Sequence, residues 1–186
     1  MAEFPKRIDC GDFELVKPEA TFERARELFE MVDKNRAQLY PWLGWVDFVK
    51  TPEDEFRVVQ SVAQADTGKY FISVNAAIRG MVGFVQEYKS KQTVEIGYWL
   101  DKDVNGRGIM TRAVEKLTGL AFEIWGANRV EIQAAVENKK SWSVPERLGF
   151  NRDGMLRQRE IVREGVVQDV FMYSKLKSEW EKGKVK

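Results

Sequence analysis

The strongest constraint on the fold is a series of three apolar runs between Tyr70 and Leu100, separated only by short polar turns. The runs cover residues 70–77, 81–88 and 93–100, with turns at 78–80 and 89–92. Turns this short join antiparallel neighbours, because a parallel pair needs a crossover of about a dozen residues or more. The sequence therefore predicts an antiparallel meander in the middle of the chain.

Helical and strand patterns flank this meander on both sides. The expected elements are a strand at Phe13–Val16, helices from about Phe22 to Val32 and from Thr51 to Ala63, a helix from about Gly108 to Trp125, a strand at Arg129–Val136, a short helix at Asn138–Leu148, and two long strands around Arg163–Gly165 that end near Tyr173. No repeat or linker divides the 186 residues. We therefore expect one α+β domain spanning residues 1–186, with a mixed, mostly antiparallel sheet flanked by helices.

Charge balance and the absence of histidine restrict the chemistry. The chain has 30 Lys and Arg against 29 Asp and Glu, so it has no general attraction to nucleic acid, and direct nucleic-acid binding is not expected. With no histidine, it lacks the most common general base, histidine-assisted nucleophiles and histidine zinc ligands. Acid–base chemistry must therefore come from carboxylates, hydroxyls, lysine, the single Cys10 or water, and we expect no metal centre.

The same composition indicates a cytoplasmic protein. No apolar run reaches the roughly 20 residues that span a bilayer, so membrane insertion is not expected. Cys10 is the only cysteine, which excludes an internal disulfide and suits a reducing compartment.

A strand, a turn with two glycines and an amphipathic helix follow one another from Gly97 to Thr111. The turn, Asn105-Gly106-Arg107-Gly108, lets backbone amides approach an anion closely, and the helix N-terminus adds about half a positive charge. The segment lacks the Gly-Lys-Ser/Thr ending of a P-loop and the third glycine of a dinucleotide fold. Taken alone, it fits a pyrophosphate site and an ordinary strand-to-helix turn equally well.

A second segment decides between these two interpretations. Residues 136–150 contain Asn138-x-x-Ser141, a short helix and the sequence Glu-Arg-Leu-Gly-Phe. Together with the Gly106-x-Gly108 turn, this segment resembles the coenzyme-A motifs of the GNAT N-acetyltransferases. Residues 96–100, 108–111 and 128–132 look most like the RimJ/RimL type, which is associated with acetylating the N-termini of ribosomal proteins. The resemblance extends from the first strand to about Ser174 and implies a GNAT-type domain that uses acetyl-coenzyme A.

The resemblance also implies roles for individual residues. The strand end would pair with the pantetheine arm, and amides from about Val104 to Gly108 would hold the pyrophosphate, with Thr111 as a further hydroxyl donor. Asn138 would bond the pantetheine, and Ser141 would lie near the thioester sulfur as proton donor. The residues assigned to the cofactor are Tyr98, Trp99, Leu100, Val104, Asn105, Gly106, Arg107, Gly108, Ile109, Met110, Thr111 and Asn138.

Two positions depart from the family pattern. Asp103 stands where glutamine or arginine is frequent, so its carboxylate should point away from the phosphates or disfavour binding. Pro145 stands where many GNAT enzymes carry a tyrosine acid, and it has no N–H for the carbonyl of Ser141. We expect the helix to start after Ser141 or to bend there, which would help Ser141 to act as the acid.

The general base should be a carboxylate acting directly or through water. Glu160 is the first candidate, because it matches the carboxylate proposed as base in RimL-like proteins. Glu95 is the second, provided that strand alternation turns it away from the core. An unperturbed glutamate has a pKa of about 4.3, an α-amine about 8 and a lysine about 10.4, so a carboxylate base favours an α-amine. A backbone N–H near Tyr98 or Trp99 would stabilise the oxyanion.

Three functions remain open on this reading. The first is acetylation of a protein N-terminus, such as that of a ribosomal protein, and the second is acetylation of a small amine such as a polyamine, an antibiotic or a metabolite. The third is a coenzyme-A-binding sensor without catalysis, against which the retention of Ser141 and Glu160 argues. Tyr40, Trp42 and Trp45 are candidates for the acceptor pocket, and RimL-like relatives suggest a homodimer.

Overall fold

A computed structural model of the chain describes residues 3–64, 68–88 and 92–184. The strands are β1 Arg7–Asp9, β2 Glu14–Val16, β3 Lys69–Val74, β4 Ala77–Tyr88, β5 Thr93–Leu100, β6 Arg129–Ala135, β7 Asn151–Arg163 and β8 Val166–Leu176. The helices are α1 Phe22–Leu39, α2 Pro52–Gln64, α3 Ile109–Leu120, α4 Lys139–Arg147 and α5 Lys177–Lys184. In this part of the chain, no helix is long and apolar enough to cross a membrane.

All eight strands form one sheet in the order β1-β2-β3-β4-β5-β6-β8-β7. Every neighbouring pair is antiparallel except β5 and β6, which are parallel and are joined through α3. A parallel pair requires such a crossover. The predicted mixed, mostly antiparallel sheet with flanking helices is therefore confirmed.

The two faces of the sheet carry separate cores. Val94 and Ile96 of β5 join a core that contains Leu117 of α3, and we call this side the α3 face. Trp99 of the same strand joins a second core that contains Leu28 of α1, and we call this side the α1 face. Alternate residues of β5 thus serve opposite faces, as the strand period requires.

The predicted turn between the first two strands of the meander was wrong by a few residues. The chain reverses at Asn75 and Ala76, whose φ angles are 51° and 64°, which suits the mirror-image turns of two-residue hairpins. Gly80, expected in the turn, lies inside β4, where a Cβ would stand 2.4 Å from the carbonyl oxygen of Trp99. Its role is close strand packing rather than reversal. The second predicted turn falls mostly on residues 89–91, outside the described residues.

Three further elements differ from expectation. β1 and α5 were not predicted, because the first has three residues and the second follows a strand without a break. The helix expected to reach Trp125 is α-helical only to Leu120 and continues as a π-helical turn over Ala121–Trp125. Gly126, with φ of 81°, then ends it in the left-handed conformation.

Candidate active site

β5 and β6 pair along only the first half of their length. Their register runs from Thr93 opposite Arg129 to Glu95 opposite Glu131 and then stops. β5 continues to Leu100 and β6 to Ala135 without further pairing between them, so the two strands enclose an open wedge. Each strand therefore presents a free backbone edge, to which an extended molecule with amide groups can bind as an added strand would.

The two-glycine turn lies at the mouth of this wedge, after β5 and a short 3-10 helix at Lys102–Val104. Gly106 and Gly108 have φ angles of 79° and 70°, and apart from their chain neighbours no described residue has an atom within 4 Å of where a Cβ would stand on either. Side chains here would be strained, whereas an approaching anion meets open space. The turn thus fits the predicted anion site.

The backbone amides that remain free define where an anion can bind. Those of Val104 and Asn105 already donate to the carbonyls of Asp101 and Lys102, at 3.2 and 3.3 Å. The amides from Gly106 to Thr111 donate to no acceptor in the part of the chain that the structure describes. Of the amides expected from Val104 onwards to meet a phosphate, only those of residues 106–111 are therefore unpaired. Ile109 and Met110 offer amides only, because their side chains are buried in the α3-face core.

The buried carboxylate of Asp101 fastens this turn to the rest of the fold. It accepts hydrogen bonds from Lys34 Nζ at 3.1 Å, Asn35 Nδ2 at 3.0 Å and Arg79 Nη1 at 3.0 Å. Burial opposes its ionisation, but these donors outweigh that effect and hold the pKa of Asp101 below its usual value. No local sequence pattern indicates this cluster, because its donors lie 22 to 67 residues from Asp101 along the chain.

Asp103 is held by the same cluster. Its carboxylate pairs with Lys34 Nζ at 2.5 Å, so the ammonium group of Lys34 lies between Asp101 and Asp103. Lys34 thereby offsets the negative charge of Asp103, the residue beside the anion site that differs from the family pattern.

α4 begins before Ser141 and contains Pro145, so the helix does not start after Ser141 as one expectation held. Asn138 caps it, with Oδ1 accepting from the amide of Ser141 at 3.2 Å, which leaves Nδ2 for a ligand. Pro145 has no N–H to donate to the carbonyl of Ser141. That carbonyl instead accepts a hydrogen bond from Tyr98 Oη at 2.9 Å. The Ser141 hydroxyl forms no hydrogen bond within the described residues and remains available.

Both candidate bases lie on the α1 face. Glu95, at the apex of the wedge, alternates with core residues of the other face and accepts a hydrogen bond from Gln133 Nε2 at 2.9 Å. Burial is the main cause that raises the pKa of Glu95, and the charges of Glu131 and Glu160 add to it, while Gln133 and Arg159 oppose it. Because the charge of Glu160 acts on Glu95, the two carboxylates share one neighbourhood.

Glu160 is exposed on β7 and pairs in register with Gln168 of β8. Cross-strand partners project from the same face of a sheet. Gln168 Nε2 donates to the carbonyl of Pro41 at 2.8 Å, in the loop that follows α1, which places both residues on the α1 face. Ser141 lies on α4, whose Val144 joins the α3-face core. The candidate bases and the candidate acid thus belong to opposite faces of the sheet around the wedge.

The aromatic loop after α1 forms a wall on the α1 face. The rings of Trp45 and Trp99 are 6.3 Å apart, and Trp45 is 37% exposed, so it can contact an acceptor beside β5. Arg163 lies 3.6 Å over the ring of Tyr40 and covers one side of it. Trp42 is half-buried in the same loop. Trp45 is therefore the best placed of the three predicted acceptor residues.

The family described as Acetyltransferase (GNAT) domain matches residues 15–151. The putative ribosomal N-acetyltransferase YdaF of Bacillus subtilis is 34% identical over 166 residues, which cover 84% of this chain and 88% of that protein. MccE, the microcin C7 self-immunity acetyltransferase solved with acetyl-CoA and AMP, has a TM-score of 0.84 and 30% identity over 93% of this chain and 97% of its own. RimL, a ribosomal L7/L12 α-N-protein acetyltransferase solved with coenzyme A, has a TM-score of 0.83 and 27% identity over 93% and 99%.

Proposed function

This chain belongs to the GNAT acetyltransferase family and is an acetyl-coenzyme A-dependent N-acetyltransferase, and we propose that its acceptor is the N-terminal α-amine of a protein, in particular of a ribosomal protein. The observation that carries the proposal is the position of Glu95, a carboxylate with a raised pKa at the apex of the wedge. The name of the YdaF relative and the likeness to RimL point to the same class of acceptor.

The residues around the wedge fit acetyl-coenzyme A. When bound, this co-substrate supplies an acetyl thioester for attack by an amine. The free edge of β5 at Tyr98 and Leu100 would receive the pantetheine amides, and Asn138 would add a side-chain donor. The backbone groups of Trp99, also assigned to the cofactor from the sequence, face Met81 of β4 instead. The unpaired amides of residues 106–111 and the Thr111 hydroxyl would hold the pyrophosphate, at a helix N-terminus that favours negative charge.

Glu95 is the proposed proton acceptor for the attacking amine. Because the pKa of Glu95 is raised, it lies closer to the pKa of an α-amine. Each pKa unit by which the difference shrinks removes about 1.4 kcal/mol from the cost of proton transfer. A lysine side chain, with a pKa about two units higher than an α-amine, would add about 3 kcal/mol. Glu160, exposed beside this site, attracts the ammonium form of the acceptor and remains the alternative base.

The transfer then proceeds by direct attack in a ternary complex. The carboxylate first takes a proton from the ammonium group of the acceptor and releases it to solvent. The neutral nitrogen then forms a bond to the acetyl carbon as it gives a second proton to the carboxylate, and the carbon–sulfur bond breaks. The backbone N–H of Tyr98, on the free edge of β5, stabilises the oxyanion. The Ser141 hydroxyl gives its proton to the departing thiolate and regains one from solvent.

A panel of acceptors tests the proposal. Purified protein is incubated with acetyl-coenzyme A and one of three acceptors: peptides with free ribosomal-protein N-termini, the same peptides with blocked N-termini, or small amines. Thiol release and product mass are then measured. The proposal predicts turnover only with free peptide N-termini. Turnover only with small amines would overturn it.

A small amine is the second candidate, because MccE, a self-immunity acetyltransferase solved with AMP, is as similar to this chain as RimL is. An amino-modified antibiotic in the panel addresses it directly. Faster turnover of that compound than of any peptide would favour this alternative.

A further inference from the structure

β7 is an edge strand with an unusual bulge beside the active site. Leu156 pairs with Val170 and Glu160 with Gln168, so residues 157–159 stand opposite Asp169 alone. The bulge is fixed in place, because Asp169 Oδ1 accepts a hydrogen bond from the amide of Gln158 at 2.7 Å. Gln158 has a φ of 51°, which a residue with a side chain adopts only at a local energetic cost.

The two residues that flank Gln158 are arginines. Arg157 and Arg159 are both exposed, and neither forms an ion pair among the residues that the structure describes. Asp169 lies opposite the bulge and accepts from a backbone amide, and Glu160 follows Arg159 directly in the chain. Since neither arginine is paired with an acid among the described residues, both guanidinium groups can bind a carboxylate of a ligand.

The bulge lies close to the reaction site. Leu156, where the bulge begins, and Ala135 of β6 pair with the same residue of β8, so one strand separates the bulge from the strand that borders the wedge. The charge of Arg159 also lowers the pKa of Glu95. An extended acceptor chain advances about 3.3 Å per residue. A chain whose first residue presents its amine to Glu95 would therefore pass the bulge within its next few residues.

The surroundings of the bulge suit an extended peptide. Residues 151–161 of β7 are all exposed, and the outer edge of the strand has no neighbour in the sheet. Such an edge can pair with an added strand. Exposed Leu156 and Ile161, at 37% and 70%, offer apolar contacts on either side of the arginines.

From this arrangement we infer that Arg157 and Arg159 recognise acidic side chains shortly after the N-terminus of the acceptor protein. Arginine suits this role because its guanidinium binds carboxylates through two parallel hydrogen bonds. The inference rests on the proposed function and narrows it to acceptors whose N-terminal segment is acidic.

Three peptides test the inference. They share their first two residues and carry either Asp and Glu, Asn and Gln, or Lys at positions three to six. With acetyl-coenzyme A saturating, the KM of the acidic peptide should be about three- to tenfold lower than that of the neutral one, with kcat similar. The KM difference between the acidic and the neutral peptide should shrink when the salt concentration is raised from about 0.05 M to about 0.5 M, because salt screens the interaction between exposed charges.

Variants assign the effect to the bulge. Arg157→Gln with Arg159→Gln should remove the KM difference between the acidic and the neutral peptide. Because loss of the Arg159 charge also raises the pKa of Glu95, the two peptides are compared on the same variant and at the same pH. Arg26→Gln, which changes an exposed arginine on α1, should preserve the KM difference. Charge reversal to Glu at both positions should transfer the preference to the lysine peptide, which a merely structural role would not do.

The outcomes separate the two claims. Equal KM values for the acidic and neutral peptides would overturn the inference and leave N-terminal acetylation standing. Failure of every peptide as an acceptor would overturn both. If the glutamine variant changes the oligomeric state by light scattering and leaves the peptide preference intact, this edge is a subunit interface, and the inference is wrong.

Discussion

Tyr98 Oη donates a 2.9 Å hydrogen bond to the carbonyl oxygen of Ser141, the carbonyl that Pro145 leaves without a helical N–H. The bond joins β5 to α4 across the wedge, so the strand that would hold the pantetheine is fixed to the helix that carries the proposed acid. Burial raises the pKa of Tyr98 well above its usual range, so its phenol stays protonated and keeps donating.

Tyr98→Phe should therefore lower both stability and kcat. It removes the donor and leaves a carbonyl unpaired, which costs about 1–3 kcal/mol of unfolding free energy by denaturant titration. Pro145→Ala restores a helical N–H, so the double variant should be less destabilised than the sum of the two single variants. Simple additivity would mean that the two residues do not share this carbonyl.

The pH dependence of kcat/KM distinguishes the two candidate bases. Glu95 must be ionised to accept a proton, so the rate should fall as pH drops through its raised pKa. Glu95→Gln should abolish this acidic limb and lower the rate by about 10²- to 10⁴-fold. Glu160→Gln should keep the limb and move it to lower pH, because it removes a charge that raises the pKa of Glu95.

Gln133→Leu provides an independent control on the same profile. It removes the hydrogen bond that lowers the pKa of Glu95, so the acidic limb should move to higher pH. A limb lost in Glu160→Gln and kept in Glu95→Gln would assign the base to Glu160 instead.

Glu55 should make the protein less stable at higher pH. Burial raises its pKa to about 7, and its Oε2 finds no partner among the described residues. The pKa of Glu55 is higher in the folded state than the reference value of 4.5, so the folded state binds this proton more tightly than the unfolded state does. The resulting stabilisation is fully present below about pH 4.5 and is lost as pH rises through 7. Glu55→Gln should raise the unfolding free energy at pH 8 by about 3 kcal/mol and change it little at pH 4.5.

Glu53→Gln is the matched control for that variant, since Glu53 is exposed in the same first turn of α2. It should leave the difference between the two pH values intact. If Glu55→Gln raised the unfolding free energy equally at both pH values, the ionisation of Glu55 would not be linked to folding.

Lys34 should support acetyl-coenzyme A binding without touching the phosphates. Lys34→Met removes the ammonium group between Asp101 and Asp103 and leaves an unpaired carboxylate beside the anion site. The KM for acetyl-coenzyme A should rise by about three- to tenfold, which steady-state kinetics would detect. Adding Asp103→Asn to this variant should lower the KM for acetyl-coenzyme A part of the way back. No recovery would place the effect in the buried Asp101 cluster alone.

Periodicity and turn chemistry predicted most of the fold, because the meander and the glycine turn are local features. The reversal at Asn75 and Ala76 escaped prediction, since Ala rarely adopts a positive φ and Gly80 offered a stronger turn signal. Pro145 showed that the Ser141 carbonyl needed another donor, but Tyr98 lies 43 residues away. Long-range side-chain partners of this kind depend on the packed fold and have no local signal.

The most direct test uses one peptide that carries both a free α-amine and an internal lysine, incubated with the enzyme and acetyl-coenzyme A. Tandem mass spectrometry then locates the acetyl group. Transfer to a protein N-terminus predicts the label on the α-amine, with the lysine unmodified until the N-terminus is consumed. Acetylation of the lysine first, or of neither amine while a small amine is turned over, would contradict this account.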